Sequence, residues 1–369
     1  MTFISSIKRI GPEQHRVFVA ERLLALKAQL ARDIRDQSNE RSLRLATWNI
    51  MHFSDGGGYQ RTPEALLYIA EILDHFDLVA IQEVNHNLDQ FEVLMKRYLG
   101  PSWDYILTDA SGNRERLAFI FRKAKVSFLR EAGEIVLPEG QEIAAPTDTK
   151  PTRKVQFART PFAVTFQAGW FRFKLATVHI FYGKNPKENS PDMELRRTEI
   201  QKIANFLADV QRREKRLNST DANMVLLGDF NIMSPQHHTM EALKQAGFQV
   251  PEGMKEAGTN LEGTHYYDQI VVKLADKRVK FGASGIFEIN ESVFRAEDAG
   301  YYIDVAKIER ILVKSDKTKR TREQAATYYR NSYRRHQLSD HKLLWCELKT
   351  DFAEQYLGVV AAGGNPAGG

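Results

Sequence analysis

The stretch "NMVLLGDFNIMS", residues 223–234, decides how this chain is read. Val225, Leu226 and Leu227 have the continuous apolar character of a strand buried on both faces. The run then breaks at once into Asp229 and Asn231, a carboxylate and a carboxamide separated by one Phe. Polar groups leaving a core must be hydrogen-bonded or bind something. The same ending recurs elsewhere: Asn49 closes an apolar run in "TWN", Glu83 closes another in "IQEV", and His179 lies in "TVHI". Asp268 lies in "YYDQIVV", and Asp340 and His341 in "LSDHKLLW". If these strands lie side by side, their ends form a rim on which the polar groups converge.

Around these runs the chain alternates strand and helix signals. Residues 12–36 carry Val19, Leu23, Leu26, Leu30 and Ile34 at helical spacing, which predicts an amphipathic helix packed on its own domain. "LRLATWNI", "PEALLYIAEILDHF" and "DLVAIQEV" read as strand, helix and strand. "RLAFIFRK", "VSFLREAGEIVL", "FAVTFQAG" and "FRFKLATVHI" follow as strand-like runs of a hairpin-rich antiparallel sheet, interrupted by a Pro- and Thr-rich loop at 138–154 expected to be mobile. A helix over "ELRRTEIQKIANFLADVQRREKR" comes next, then the strands "MVLLGDF", "YDQIVVK" and "LLWCELK". This order divides the chain into an accessory helix (1–41), a main domain (42–352) with a basic insertion at about 275–336, and a flexible tail (353–369) ending in the low-complexity "AAGGNPAGG".

Composition bounds the function. The 369 residues are 43% hydrophobic and 27% charged, ordinary for a soluble globular chain, and the net charge of +5 is compatible with a polyanionic partner without requiring one. A single cysteine, Cys346, rules out an intramolecular disulfide or a thiolate metal cluster and favours a reducing compartment. The N-terminus lacks an uninterrupted apolar segment, and no stretch approaches the roughly 18 apolar residues of a membrane span. The sequence therefore reads as cytoplasmic with no membrane association, and it names no protein partner.

The polar rim has a recognisable chemistry. Hard oxygen ligands from Glu and Asn suit Mg²⁺, with Mn²⁺ as a substitute, and leave room for water and phosphate. Two histidines, each oriented by a carboxylate, supply proton transfer near neutral pH. Together these parts describe phosphodiester hydrolysis. Singly, each has an ordinary structural reading: Asn49 as a turn residue, Asp229 and Asn231 as an Asx turn, His179 as a core histidine, and residues 339–341 as a polar start to a strand.

The ordered series "TWN", "QE", "H", "GDFN", "YDQIVV" and "SDH", spread over residues 43–349, resembles the endonuclease/exonuclease/phosphatase superfamily, and most closely its deoxyribonuclease I branch. The resemblance implies an α/β fold, a four-layer α/β/β/α sandwich of two mostly antiparallel sheets flanked by helices, with the active site at one edge. It implies metal binding by Glu83 with Asn49 and Asp340 nearby, and a catalytic set of His179, His341, Asp229, Asn231, Asp268 and Glu115. In this set Glu115 orients His179, Asp268 orients His341, His341 activates water and His179 protonates the leaving oxygen. Which of the histidine and the GDxN aspartate is the base stays open. "FARTPFAV" resembles a segment of the nuclease branch and places Arg159, with Asn231, on the phosphate; Arg159 as a surface strand charge and Glu115 as a strand-edge charge are the ordinary alternatives.

Departures narrow the analogy. Where that branch has an Arg after "QEV" and a Tyr two residues before the orienting Glu, this chain has Asn85 and Asn113, so duplex recognition of the same kind does not carry over. The segment "KSDKTKRTREQAATYYRNSYRRHQ" interleaves Arg330, Arg334 and Arg335 with Tyr328, Tyr329 and Tyr333, a pattern suited to phosphates and stacked bases. A charged helix that packs its tyrosines against the sheet is the equal alternative. The expected activity is a metal-dependent nuclease acting on DNA or RNA; phosphomonoester or phospholipid cleavage of the inositol phosphatase or sphingomyelinase type is the second expectation.

Overall fold

The computed structural model describes residues 2–55, 59–145, 153–185, 187–217, 219, 222–254 and 257–364. Its strands, in chain order, are β1 (Leu43–Phe53), β2 (Leu78–Asn85), β3 (Trp103–Leu107), β4 (Glu115–Arg122), β5 (Ser127–Glu134), β6 (Ile143–Ala145), β7 (Arg153–Val155), β8 (Phe162–Ala168), β9 (Phe171–His179), β10 (Met224–Asp229), β11 (Asp268–Lys273), β12 (Lys280–Phe287) and β13 (Leu343–Lys349). One sheet runs β12-β13-β1-β2-β4-β3 and the other β11-β10-β9-β8-β5. β6 and β7 pair within the loop expected at 138–154, whose residues 146–152 lie outside the described residues.

Alternation along the strands builds the layers. Leu43, Leu45, Phe119, Phe121, Phe166, Phe173, Val225 and Leu227 meet between the sheets, while Trp48, Ile50, Ala118 and Ile120 on one side and Val178, Met224 and Leu226 on the other face outward beneath helices. Two sheets face to face with helices outside make the four-layer sandwich. The helix Glu13–Leu30 joins the outer layer, its Val19, Leu23, Leu26 and Leu30 buried with Tyr68 and Leu67.

Each sheet is antiparallel except for one central parallel pair, β1 with β2 and β9 with β10. A parallel connection requires a crossover, and each pair has one helix for it, Pro63–Leu73 and Pro191–Arg216. Both helices start alike: Thr62 and Ser190 accept the amides of Ala65 and Met193, and the next residue is proline, whose missing N–H costs nothing in the first turn. The carboxyl ends of the parallel pairs and the starts of their antiparallel neighbours then fall on the same edge of the sandwich.

Two expectations change. Residues 280–287, placed by the sequence inside an insertion, form the edge strand β12, whose half-exposed "KFGASGIF" carries too little alternation to be read as sheet. In the remainder, Tyr329 and Tyr333 are fully buried with Phe294 and Tyr302, the ring centroids 5.0 to 6.2 Å apart, against a buried Glu64 that accepts the Tyr302 hydroxyl at 2.5 Å. Tyr333 is therefore a core residue and not a nucleic-acid contact. At the C-terminus, Ala353–Ala361 forms a helix with no buried residue, and 365–369 lie outside the described residues.

At Gly228 the backbones of β9 and β10 approach too closely for a side chain. The glycine's φ is +131°, and a Cβ there would lie 2.2 Å from the Val178 carbonyl oxygen on the parallel neighbour. Gly228→Ala is expected to cost at least about 2 kcal/mol, from backbone strain plus overpacking, measured as a loss in urea unfolding free energy.

Candidate active site

His179 ends β9 and Asp229 ends β10, paired side by side across the parallel ladder. His179 Nδ1 lies 3.1 Å from Glu115 Oε2, with the N–H aimed off the oxygen, and its Nε2 lies 3.6 Å from Asp229 Oδ2. Glu115 opens β4 and also accepts Arg159 Nε at 3.2 Å. Burial alone would lift the Glu115 carboxyl, but His179 and Arg159 outweigh it and hold the group down at about 2. Burial alone would likewise lower His179, and the Glu115 carboxylate, with Asp229 and Glu83, keeps it raised.

A second imidazole faces the same carboxylate. His341 precedes β13, donates its Nδ1–H to Asp268 Oδ2 at 2.8 Å, and points Nε2 to within 3.9 Å of Asp229 Oδ2. Against burial, the charges of Asp268 and Asp229 raise its pKa well above the ordinary histidine value. Asp229 itself is 2% exposed. Burial would raise it, yet the two imidazoles and N–H donors from Asn49 and Asn231 leave it below the usual range. Asn231 adopts φ +54°, donates its backbone amide to Asp229 Oδ1 and gives one amide hydrogen to the Ile180 carbonyl at 2.7 Å.

Glu83 stands where β2 slips register against both neighbours, between Asn49 and Phe53 of β1 and beside β4. Such a bulge re-aims a side chain, and the left-handed φ of +61° at Glu83 is its signature. Its carboxylate accepts Asn49 Nδ2 at 2.9 Å and the His52 amide at 2.9 Å, and it opens onto the pocket. Asn49 also donates to Asp229 at 3.0 Å, while its own Oδ1 is buried without a hydrogen-bond partner. A carboxylate open to the pocket, a second carboxylate within reach of the same amide and an unsatisfied carboxamide oxygen are hard donors, a set that fits Mg²⁺ or Mn²⁺.

Among the described residues, fourteen line the resulting cavity of about 440 Å³, including Glu83, Arg159, His179, Asp229, Asn231, Asp340 and His341. The remaining expectations resolve differently. Asp340 lines the cavity, but its carboxylate is held by Arg335 at 2.9 Å. Arg335 thus reaches the site. Arg330 is exposed, with Nε near the Ala296 carbonyl, and half-buried Arg334 donates to the Phe294 carbonyl; neither lines the cavity, because their helix turns those positions towards the segment around residue 295.

The sequence reading missed the far wall, where Tyr182, Asn260, Glu262, His265 and Tyr267 stand, with the Tyr267 ring 5.7 Å from His341. It also missed Arg61, which is 3% exposed and donates to the carbonyls of Met51, His52, Tyr59 and Leu338, tying the Asn49 side of the site to the turn before His341. No local motif marks these residues; the one available signal is a basic side chain between "GGGYQ" and a helix start.

The His179–Glu115 contact makes a signed prediction for metal-free protein. Glu115→Gln leaves burial in control, so the His179 midpoint falls from above 6.5 to below it, checked by NMR titration of the ring. The raised histidine contributes stability fully below 6.5 and loses it as pH rises through its folded value. Glu115 contributes fully above 4.5 and loses its share as pH falls towards about 2.

Solved structures similar to the chain include the human Nocturnin catalytic domain with bound sulfate, 16% identical over 86% of this chain and 98% of that one at a TM-score of 0.49. The mannosyl-6-phosphatase Bt3783 of Bacteroides thetaiotaomicron is 20% identical over 83% and 99%, TM-score 0.49. TDP2 of D. rerio, complexed with a single-strand DNA product, is 13% identical over 83% and 98%, TM-score 0.45. No curated protein matches the sequence. The sequence model of the Endonuclease/Exonuclease/phosphatase family matches residues 46–268, more than half of the chain, and this protein is a member of that family of hydrolases.

Proposed function

We propose that the chain is a divalent-metal-dependent phosphodiesterase, a nuclease cutting DNA or RNA by attack of water. The observation that carries this reading is the pair of imidazoles, each backed by a carboxylate, on either side of one Asp229 oxygen at 3.6 and 3.9 Å. Glu83 and Asn49 would hold the metal, which when bound withdraws charge from the phosphate.

The chain's own groups divide the remaining work. Arg159 and the second amide hydrogen of Asn231 bind phosphate oxygens, and developing charge there meets fixed donors. Asp229, kept ionised, orients the water and takes its proton. His341, its pKa raised by Asp268 and Asp229, donates to the phosphate, so that of the two bases the sequence left open this reading takes the aspartate. His179, protonated and held by Glu115, gives its proton to the leaving oxygen. Asp340 enters through Arg335, which it holds at the rim.

Cavity size favours a second reading, cleavage of a phosphomonoester or a phospholipid head. About 440 Å³ is within the range of roughly 300–1,000 Å³ typical of small-molecule sites.

Purified protein with Mg²⁺ or Mn²⁺ is assayed against plasmid, single-stranded DNA, RNA, abasic duplex, inositol phosphates and sphingomyelin. The expected result is strand cleavage abolished by chelation and lowered about 10²- to 10⁴-fold in kcat by His179→Ala or His341→Ala. Activity on phosphomonoesters or lipid alone, or activity that ignores both substitutions, contradicts the nuclease reading.

A further inference from the structure

The helix Pro191–Arg216 buries two ionisable side chains that the reaction does not use. Arg196 is 0% and Glu199 1% exposed, on the face that also carries Met193, Ile200 and Ile203. Taking a charge out of water is expensive unless it is paired or well hydrogen-bonded. Among the described residues neither has an opposite charge as ion-pair partner; both direct their hydrogen bonds to main-chain groups.

Those main-chain groups belong to three loops of the active site. Glu199 Oε1 accepts the Ala158 amide at 2.6 Å, immediately before Arg159, and Oε2 accepts the Phe181 amide at 2.9 Å, two residues after His179. Arg196 donates Nε to the Phe181 carbonyl at 3.2 Å, Nη1 to the Asn231 carbonyl at 2.8 Å and Nη2 to the Tyr182 carbonyl, with its guanidinium 5.0 Å from the Tyr182 ring centroid. The loops leave β9, leave β10 and enter β8, so their peptide groups have no sheet partner there. One turn of helix supplies the partners, and residues three apart are neighbours on its surface.

We propose that Arg196 and Glu199 are positioning residues that fix the Arg159 guanidinium and the Asn231 amide relative to one another at the phosphate. The proposal rests on the reading that Arg159 binds that phosphate. Glu199 exchanges nothing with substrate; it sets the loop from which Arg159 reaches. Arg196 does the same for Asn231 while tying its loop to the one after His179. Glutamine at 199 keeps one acceptor oxygen but turns an NH₂ group towards a backbone N–H, so one of the two loops loses its anchor while the side-chain volume is kept.

The test is a double-mutant cycle read by calorimetric binding of inorganic phosphate, at about pH 8, where the Glu199 carboxyl, which burial lifts to about 7, is ionised. Glu199→Gln is expected to weaken phosphate binding about tenfold in the wild-type background and by less than about twofold in Arg159→Ala. Hydrogen exchange at the Ala158 or Phe181 amide rises in the variant, while Arg197→Gln, exposed and paired with Glu194, leaves affinity and exchange unchanged. Binding that depends on Arg159 but not on Glu199, or an equal loss in both backgrounds, overturns the positioning role alone. Binding equal in wild type and Arg159→Ala overturns the phosphate role of Arg159, and the proposal with it. Should Glu199→Gln fail to fold, Arg196→Lys with Asn231→Ala completes the same cycle, with the same outcomes deciding.

Discussion

Asp229 is a carboxylate with almost no access to water at the end of a strand buried on both faces, and it can stay ionised only if donors and cations close around it. Its neighbours are those donors. Two imidazoles, a carboxamide and a backbone amide surround its two oxygens, and each of the three side chains has a further partner: Glu115 behind His179, Asp268 behind His341, Glu83 beside Asn49. The site is thus one connected network of hydrogen bonds and close ion contacts.

Topology explains why such a network forms at this edge. Two strand–helix–strand units, one in each sheet, run their parallel pairs in a way that brings Asn49, Glu83, His179 and Asp229 to the carboxyl ends of strands. The antiparallel neighbours contribute their beginnings, Glu115 from β4 and Asp268 from β11, with Arg159 and His341 in the approaches to β8 and β13. Left-handed backbone at His52, Glu83 and Asn231 falls where the chain turns at this rim, and the buried cations Arg61 and Arg196 hold the loops that make those turns. Strands carry most of the polar groups of the rim, and two buried arginines take up the backbone that strands cannot satisfy.

Much of this was legible in the sequence. Apolar runs marked the strands, the family resemblance implied their layers, and runs ending in Asn, Glu, His and Asp marked the rim, because a strand's apolar run and a polar terminus are local properties. What escaped was non-local. Tyr329 and Tyr333 stand four apart, a helical face, but Arg330 between them and Arg334 and Arg335 beyond suggested bases where the structure has Glu64 and an aromatic core. Arg196 and Glu199 interrupt the apolar face set by Met193, Ile200 and Ile203, a visible anomaly whose meaning depends on loops more than 30 residues away in one case and more than 40 in another. β12 was too weakly patterned to be seen, and no spacing announces that Asp340 will meet Arg335.

The central claim is that these strand ends grip a divalent cation beside a phosphate. Crystals grown with Mn²⁺ and inorganic phosphate, measured for anomalous scattering, test it most directly. The account predicts a manganese peak within coordination distance, about 2.0–2.3 Å, of a Glu83 oxygen, with phosphate between it and Arg159. A fully occupied manganese elsewhere, with the Glu83 carboxylate bound only to Asn49 and His52, would contradict it.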